Sequence, residues 1–470
     1  MSFHSLEFAV FFAIVVAVYY LIPFARRVPV LLAASLLFYL SFAAQNIYVL
    51  AGLIVASFAL GHAIERAPSQ GVRKFWLVTA LAIDLGLMAA FKYGPEVVGK
   101  SFGAIPIGLS FHTFQAMAYA IDIYRGSQPA ERSFPVFALY ILFFPQIAAG
   151  PIERPGDMLP QFHKPHPFCY QNAVAGLQLM VWGIFQKYVV ADRLGNVVNA
   201  IYDGSKVTGP LTAFAAVCFS FQMFCDFAGY SEIALGAAQV LGLRLTRNFN
   251  APFHADSMAE YWKRWHITLS NWMRDYVFFP LCGRRPHMPR VCASIMMVFL
   301  ANALWHGARL NYLVSGLLHG TYRVTELLAG RAMSRAGWAL KEAWHGPVKV
   351  ARTMLVFSLM TFAFVFFRGR NLADSWSVAE RIFRGWGVLF HPASIAAGLA
   401  ETRLSLLSAI ETVGLIVVVE AVQWLRSSGP LRPRIAALPF WWRWSIYYAG
   451  AAAALLMVPV NAAPFIYFAF

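Results

Sequence analysis

The residues best suited to chemistry are histidines set among apolar neighbours. His306 closes the run Ala303-Leu304-Trp305-His306-Gly307-Ala308 at the end of an apolar stretch. A charged imidazole is expensive in hydrocarbon and a neutral one needs a partner. The same ring titrates near neutral pH and can take a proton from a hydroxyl. His306 therefore reads either as a general base or as a core histidine bonded to a backbone carbonyl. His266 sits in a second polar-aromatic run, 259–276. At helical spacing Trp262, Trp265, His266, Leu269, Trp272, Met273 and Tyr276 share one face, with Ser270 one turn beyond the histidine, while Lys263, Arg264 and Arg274 fall elsewhere. Asp256 or Ser257 can cap that helix with Glu260 in its first turn. An interfacial belt helix is the competing reading.

Two further clusters carry polar groups. In Phe224-Cys225-Asp226-Phe227-Ala228-Gly229-Tyr230-Ser231-Glu232, Asp226 and Glu232 interrupt an apolar run and suit either a cavity wall, with Tyr230 and Ser231, or a helix end with capping acids. His319, in Leu317-Leu318-His319-Gly320, suits a partner of the first histidine, a metal ligand or packing. No H-E-x-x-H or comparable ligand spacing is present, so no metal is expected. Gly108-Leu109-Ser110-Phe111-His112 begins like a nucleophile elbow but lacks the final glycine.

What must position these groups is a set of membrane helices. Of 470 residues 59% are hydrophobic and 13% charged, and the apolar residues come in long blocks. A water-soluble chain of this length would carry more charge. Since a spanning helix needs about 20 mainly apolar residues, eleven segments qualify as spans: 8–24, 30–43, 47–64, 75–91, 173–191, 211–227, 291–305, 312–328, 350–367, 404–425 and 444–460. Residues 105–121 and 136–149 are apolar but interrupted or bounded by Pro and Gly, as in tilted, broken or re-entrant segments. Residues 150–167 hold five of the 25 prolines and read as a stiff polar loop. No internal repeat or soluble domain is evident. The expectation is one all-α polytopic membrane domain over 1–470.

The net charge of +16 (38 Lys and Arg against 22 Asp and Glu) lies mainly in short segments between apolar runs. That is the pattern of the positive-inside rule and of anionic headgroups, not of nucleic-acid binding. Arg26 and Arg27 follow the first span and Arg66, Arg73 and Lys74 the third, while the 44–46 turn is uncharged. These loops are expected in the cytoplasm and the N-terminus outside. Arg426, Arg432, Arg434 and Arg443 likewise predict a cytoplasmic loop before the last span and an outer C-terminus. Met1 to Glu7 lack a cationic n-region, so the first apolar segment is expected to be a retained span. The cysteines at 169, 218, 225, 282 and 292 form no C-x-x-C pair and read as small hydrophobes.

Taken in order, several motifs resemble the membrane-bound O-acyltransferase (MBOAT) family, in its bacterial branch for alginate O-acetylation and teichoic-acid D-alanylation. They are Ile107-Gly108-Leu109-Ser110-Phe111, Ile121-Asp122-Ile123-Tyr124-Arg125-Gly126, Gly150-Pro151-Ile152-Glu153-Arg154, Asp226 with Gly229-Tyr230-Ser231, and the 248–252 stretch. They continue with 262–270, Arg274-Asp275-Tyr276, Trp305-His306-Gly307 and Phe465-Ile466-Tyr467-Phe468, and are densest over about 105–320. The resemblance implies a bundle of about eleven transmembrane helices, with re-entrant or interfacial helices, around a central cavity. It implies that His306 is the family's near-invariant histidine and His266 its upstream polar position. Asp226, Tyr230, Ser231, Trp262, Ser270, Trp305 and His319 are lesser expected cavity-lining or substrate-binding positions. His112, Cys282, Tyr261, Ala228 and Glu232 depart from common family residues, and none touches the histidine pair.

The activity implied is acetyl transfer from a cytoplasmic thioester, acetyl-CoA or an acyl-carrier protein, to hydroxyls of an exported polysaccharide, directly or through a periplasmic acyl-relay protein. D-alanyl or longer-acyl transfer is the alternative. His306 would be the general base, and His266 would orient the acyl group or stabilise the oxyanion. The donor is a substrate, and no permanently bound cofactor is expected. A bacterial inner-membrane location follows from the same resemblance. A transporter and a non-catalytic scaffold are the rivals from other classes; the lack of an inverted repeat argues against the first.

Overall fold

The computed structural model of the protein describes residues 1, 3, 5–43, 46–94, 105–147, 150–203, 207–337, 345–390, 397–398, 400–402, 404–429, 431–456 and 465–466. Helices dominate, and no strand occurs among the described residues. In chain order they are α1 (Leu6–Leu21), α2 (Arg27–Ala43), α3 (Ile47–Arg66), α4 (Gln70–Tyr93), α5 (Leu109–Arg125), α6 (Phe134–Leu142) and α7 (Pro155–Phe162). Then follow α8 (Tyr170–Ile184), α9 (Asp192–Tyr202), α10 (Pro210–Val240), α11 (Met258–Arg264), α12 (Ile267–Met273), α13 (Phe279–Cys282) and α14 (Met288–His306). The last are α15 (Leu310–Arg335), α16 (His345–Arg368), α17 (Leu372–Phe383), α18 (Leu406–Ser427), α19 (Leu431–Ala436) and α20 (Phe440–Leu456).

Among the described residues, eight helical stretches are long and apolar enough to cross a membrane. Each coincides with one of the eleven expected segments. The other three fall on α1, α15 and α20; the end of the last, 457–460, lies outside the described residues, as do 44–45 and 148–149. Apolar side chains on these helices face outward: Leu6, Leu21 and Leu407 are 78, 84 and 74% exposed. In water such surfaces would be costly; in hydrocarbon they cost nothing, and the helices satisfy their own backbone. The chain is an all-α, multi-pass membrane protein.

Two compact units emerge. The first comprises residues 1–184 and 229–247, with α1–α8 and the later part of α10. Here α5 is buried along nearly all its length, packed with α3 and α4. The proline-rich 150–167 segment differs from the polar loop expected of it. It contains α7, started by Pro155, and one of its two acids is buried: Glu153 is 1% exposed. That carboxylate accepts from the backbone N–H of Thr246 at 2.6 Å and from its hydroxyl at 3.0 Å, while the Tyr140 hydroxyl donates to the Glu153 carbonyl at 2.9 Å. These bonds tether the segment to residue 246, satisfying the buried acid. Sequence composition misses it because the tether's partner lies far along the chain.

The second unit comprises 185–228 and 248–469. A π-helical segment, Phe185–Ala191, leads into α9. Next to it Phe219, Phe221 and Phe224 of α10 pack with Phe253, Trp265 and Phe364 in one core. The other finding concerns 259–276, expected as one helix. It is instead α11, a break at Trp265 and His266, then α12 and the π-helical segment Arg274–Phe278. Ser257 is the side-chain cap of α11, accepting from Glu260 N at 3.1 Å, and Glu260 returns a bond to Asp256 N.

Burial raises the Glu153 carboxyl to about 7, and the two Thr246 hydrogen bonds only partly oppose it. A carboxyl whose folded pKa lies above its unfolded value favours folding below the unfolded value, and that contribution is lost as pH rises towards 7. Thermal unfolding in detergent from pH 5 to 8 is expected to show wild type losing stability more steeply than Glu153→Gln. Equal slopes would mean that the carboxyl does not titrate in this range.

Candidate active site

The break between α11 and α12 is the local event that makes the site. Trp265 is extended and His266 adopts φ 43° and ψ 55°, the left-handed region, which costs a side chain about 1–2 kcal/mol. Opening a helix inside a membrane protein also frees backbone groups that need partners. Residues 248–250 supply them: Ile267 N donates to the Asn248 carbonyl and Asn250 N to the Arg264 carbonyl, each at 2.9 Å. From α15, Glu326 accepts from Met258 N and Ala259 N at 2.6 and 3.1 Å, fastening the start of α11. A carboxylate at a helix N-terminus is favourable for both charge and hydrogen bonding.

His306 is the last residue of α14, which stops because Gly307 takes φ 153°, a value costly for any other residue. α14 and α15 then pack closely: a Cβ on Gly316 would lie 2.7 Å from the Ala303 Cβ and 2.8 Å from the Phe299 carbonyl. Behind the pair, the Asn311 amide donates to the carbonyls of Phe366 and Gly369, and the Ser315 hydroxyl to that of Ala363.

These elements enclose a cavity of about 40 Å³ lined by His266, His306 and His319, with Trp262, Asn302 and Tyr312 among its other walls. That is room for a few water-sized groups. All three histidines are buried, at 2, 9 and 6% exposure. Trp305 bridges two of them, its ring centroid 6.2 Å from His266 and 4.5 Å from His306. Phe367 meets the His306 ring edge-on at 4.7 Å, and Phe227 meets His266 edge-on at 4.6 Å. Trp262 stands perpendicular to His319 at 5.1 Å. Rings clamped on several sides have few rotamers left, which holds their nitrogens in place. Nδ1 of His319, Nε1 of Trp262 and Oδ1 of Asn302 find no hydrogen-bond partner among the described residues. The wall is thus apolar with a few polar atoms, the composition of a small-molecule site.

The remaining expected positions are arranged otherwise. Trp305 is buried against two histidine rings and Ser270 donates its hydroxyl to the Trp265 carbonyl at 3.1 Å; neither lines the cavity. Asp226 forms an ion cluster: Lys187 reaches it at 2.7 Å and Asp192 at 2.8 Å, all three nearly excluded from solvent. Its second oxygen accepts from Ile466 N at 2.9 Å, pinning the described part of the 465–468 motif; 467–468 lie outside the described residues. Tyr230 and Ser231 belong to the first unit, where Tyr230 packs edge-on against Phe3. Sequence reasoning missed Asn302, Tyr312 and Ser315 in the wall. Their signal was available: 302, 303 and 306 recur on one face of α14, and 312, 315, 316 and 319 on one face of α15.

Buried histidines of a helical membrane protein thus meet around one small, mostly apolar cavity. Residues 126–367 match the model of MBOAT, the membrane-bound O-acyltransferase family. The chain is 31% identical over 393 residues to a protein named "Probable alginate O-acetylase" of Azotobacter vinelandii, covering 79% of this chain and 76% of that one. It is 30% identical to the "Peptidoglycan O-acetyltransferase" of Helicobacter pylori, covering 74% and 72%. With the "Teichoic acid D-alanyltransferase" of Bacillus subtilis the identity is 25%, covering 56% and 69%. The chain belongs to the membrane-bound O-acyltransferase family, and it is an acyltransferase.

Removing Asp226 tests whether its role is structural. Stranding a buried charge costs about 3–5 kcal/mol; here Lys187 keeps Asp192, so the loss is expected to be smaller. Asp226→Ala is expected to lower the unfolding temperature and the yield of folded protein, with activity falling in proportion to folded protein. A stable variant with abolished turnover would instead assign Asp226 to substrate.

Proposed function

We propose that the protein transfers an acetyl group from a cytoplasmic thioester, acetyl-CoA or an acyl-carrier protein, to hydroxyls of an exported cell-surface polysaccharide. The observation carrying this reading is the cavity shared by His306 and His266. The relatives' names support the acceptor class, since alginate, peptidoglycan and teichoic acid are all cell-surface polymers bearing hydroxyls. Acetyl is preferred over D-alanyl because the O-acetylating relatives are the more similar, at 30–32% against 25–27% identity.

In this mechanism the acceptor hydroxyl gives its proton to the His306 imidazole as its oxygen attacks the thioester carbonyl. The new C–O bond places a negative charge on the former carbonyl oxygen. When that oxyanion collapses the C–S bond breaks, and the thiolate takes the proton back from the imidazolium. Position assists the step: His306 ends α14, and the carbonyl end of a helix favours a transient positive charge. Apolar walls exclude water, which would otherwise hydrolyse the thioester. A cavity of about 40 Å³ suits the reacting carbonyl and hydroxyl, with the bulk of donor and polymer outside. The proposal sets the protein in the bacterial inner membrane, both termini on the outer face. A periplasmic acyl-relay protein is the proposed partner for acceptors beyond the bilayer.

His306→Ala is expected to abolish acylation of the surface polymer, measured by mass spectrometry, while protein level and membrane insertion match wild type. Wild-type acylation by that variant would defeat the assignment and leave a scaffold. Solute flux without thioester-dependent transfer by purified protein would favour a transporter.

A further inference from the structure

Three donors converge on one atom of Asn248. Its Oδ1 lies 3.1 Å from His266 Nδ1, 3.3 Å from the backbone N of Thr268 and 2.9 Å from the Thr268 hydroxyl. A backbone N–H can only donate, so the Asn248 atom facing it must be the carbonyl oxygen and not the amide nitrogen. That oxygen can only accept. His266 Nδ1 must therefore carry a proton, and in a neutral imidazole the proton-free nitrogen is then Nε2. The arrangement is held at both levels of the chain. The Asn248 carbonyl accepts from Ile267 N, and Asn250 N donates to the Arg264 carbonyl, so 248–250 brackets the break on both sides. His266 stands at the N-cap of α12 but makes no side-chain cap bond; Asn248, 1% exposed, caps Thr268 N in its place.

From this geometry we infer that Asn248 is a positioning residue of the acyl-transfer site. It fixes His266 as the Nδ1–H tautomer and so makes Nε2 a hydrogen-bond acceptor. The catalytic half of this inference rests on the reading of the cavity given above. It revises the role expected of His266: a ring with its proton on Nδ1 has nothing to donate to an oxyanion from Nε2. The ring is instead suited to receive a hydrogen bond from a substrate O–H or N–H, aligning that group beside His306. The Thr268 hydroxyl, donating to the same oxygen, keeps the amide from rotating.

The full chain in lipid bilayers, labelled with 15N-histidine, tests this by magic-angle-spinning spectroscopy. The His266 signal is assigned by its loss in His266→Gln. Wild type is expected to show a protonated Nδ1 and an unprotonated Nε2. Asn248→Asp, whose carboxylate accepts from all three donors, should keep that signature. Asn248→Leu should show Nε2 protonation and lose between about a hundredfold, the size of a supporting-shell loss, and about ten-thousandfold, the size of a wrong-tautomer loss, in kcat, with KM altered much less. A wild-type His266 protonated on Nε2 overturns the inference without any variant needing to fold. So does an Asn248→Leu protein with the wild-type signature and rate. Acylation surviving His306→Ala would defeat the catalytic reading and leave the tautomer assignment in force, so the two failures are distinguishable.

Discussion

Backbone polar groups cannot be left unpaired where water is scarce, and the architecture around the histidines is an answer to that constraint. Opening a helix at Trp265 and His266 exposes donors and acceptors on both sides of the break. The 248–250 segment returns a carbonyl to Ile267, an N–H to Arg264 and a side-chain oxygen to Thr268 and His266. Glu326 does the same for the first turn of α11. With these contacts in place a left-handed histidine persists at a cost of about 1–2 kcal/mol.

The same economy governs the rest of the cavity. Few polar atoms are admitted, and most of them are held by rings. Trp305 touches two of the histidines, Trp262 the third, and Phe367 and Phe227 close their flanks. Close packing of α14 on α15 at Gly316 brings His306 and His319 to one space, and the Asn311 and Ser315 bonds lock α15 to α16 behind it. In the proposed mechanism, preorganisation of this kind lets His306 act as a base without solvent rearrangement. The ion cluster of Lys187, Asp192 and Asp226 serves a different end. Lys187 holds both carboxylates and Asp226 also pins Ile466, so the value of the cluster is in where it ties the chain.

Much of this was legible in the residue string. Membrane character follows from apolar block length, because the bilayer sets a minimum span that composition either meets or does not. The eight stretches long enough to cross coincide with expected segments. His306, His266 and His319 stood out as imidazoles in apolar runs, where a core histidine and a reactive one read alike, and all three line the cavity. Asp226 stood out equally and joined an ion cluster instead, since a lone acid in a sequence carries no label for its partner. The tether from Glu153 to Thr246 was invisible for the same reason.

Composition and span length thus determined an all-helical membrane protein, and the order of the motifs carried the resemblance to the O-acyltransferase family. The first two are local properties, readable wherever a segment's own residues decide its environment. Tertiary structure alone decided that the 259–276 run breaks at His266. It alone set Asn248 against that ring, and made Asp226 a partner of Lys187. Each of those outcomes depends on a group remote in the chain satisfying a donor, an acceptor or a charge. Helical periodicity is blind to that, because it records which residues share a face and never what stands opposite.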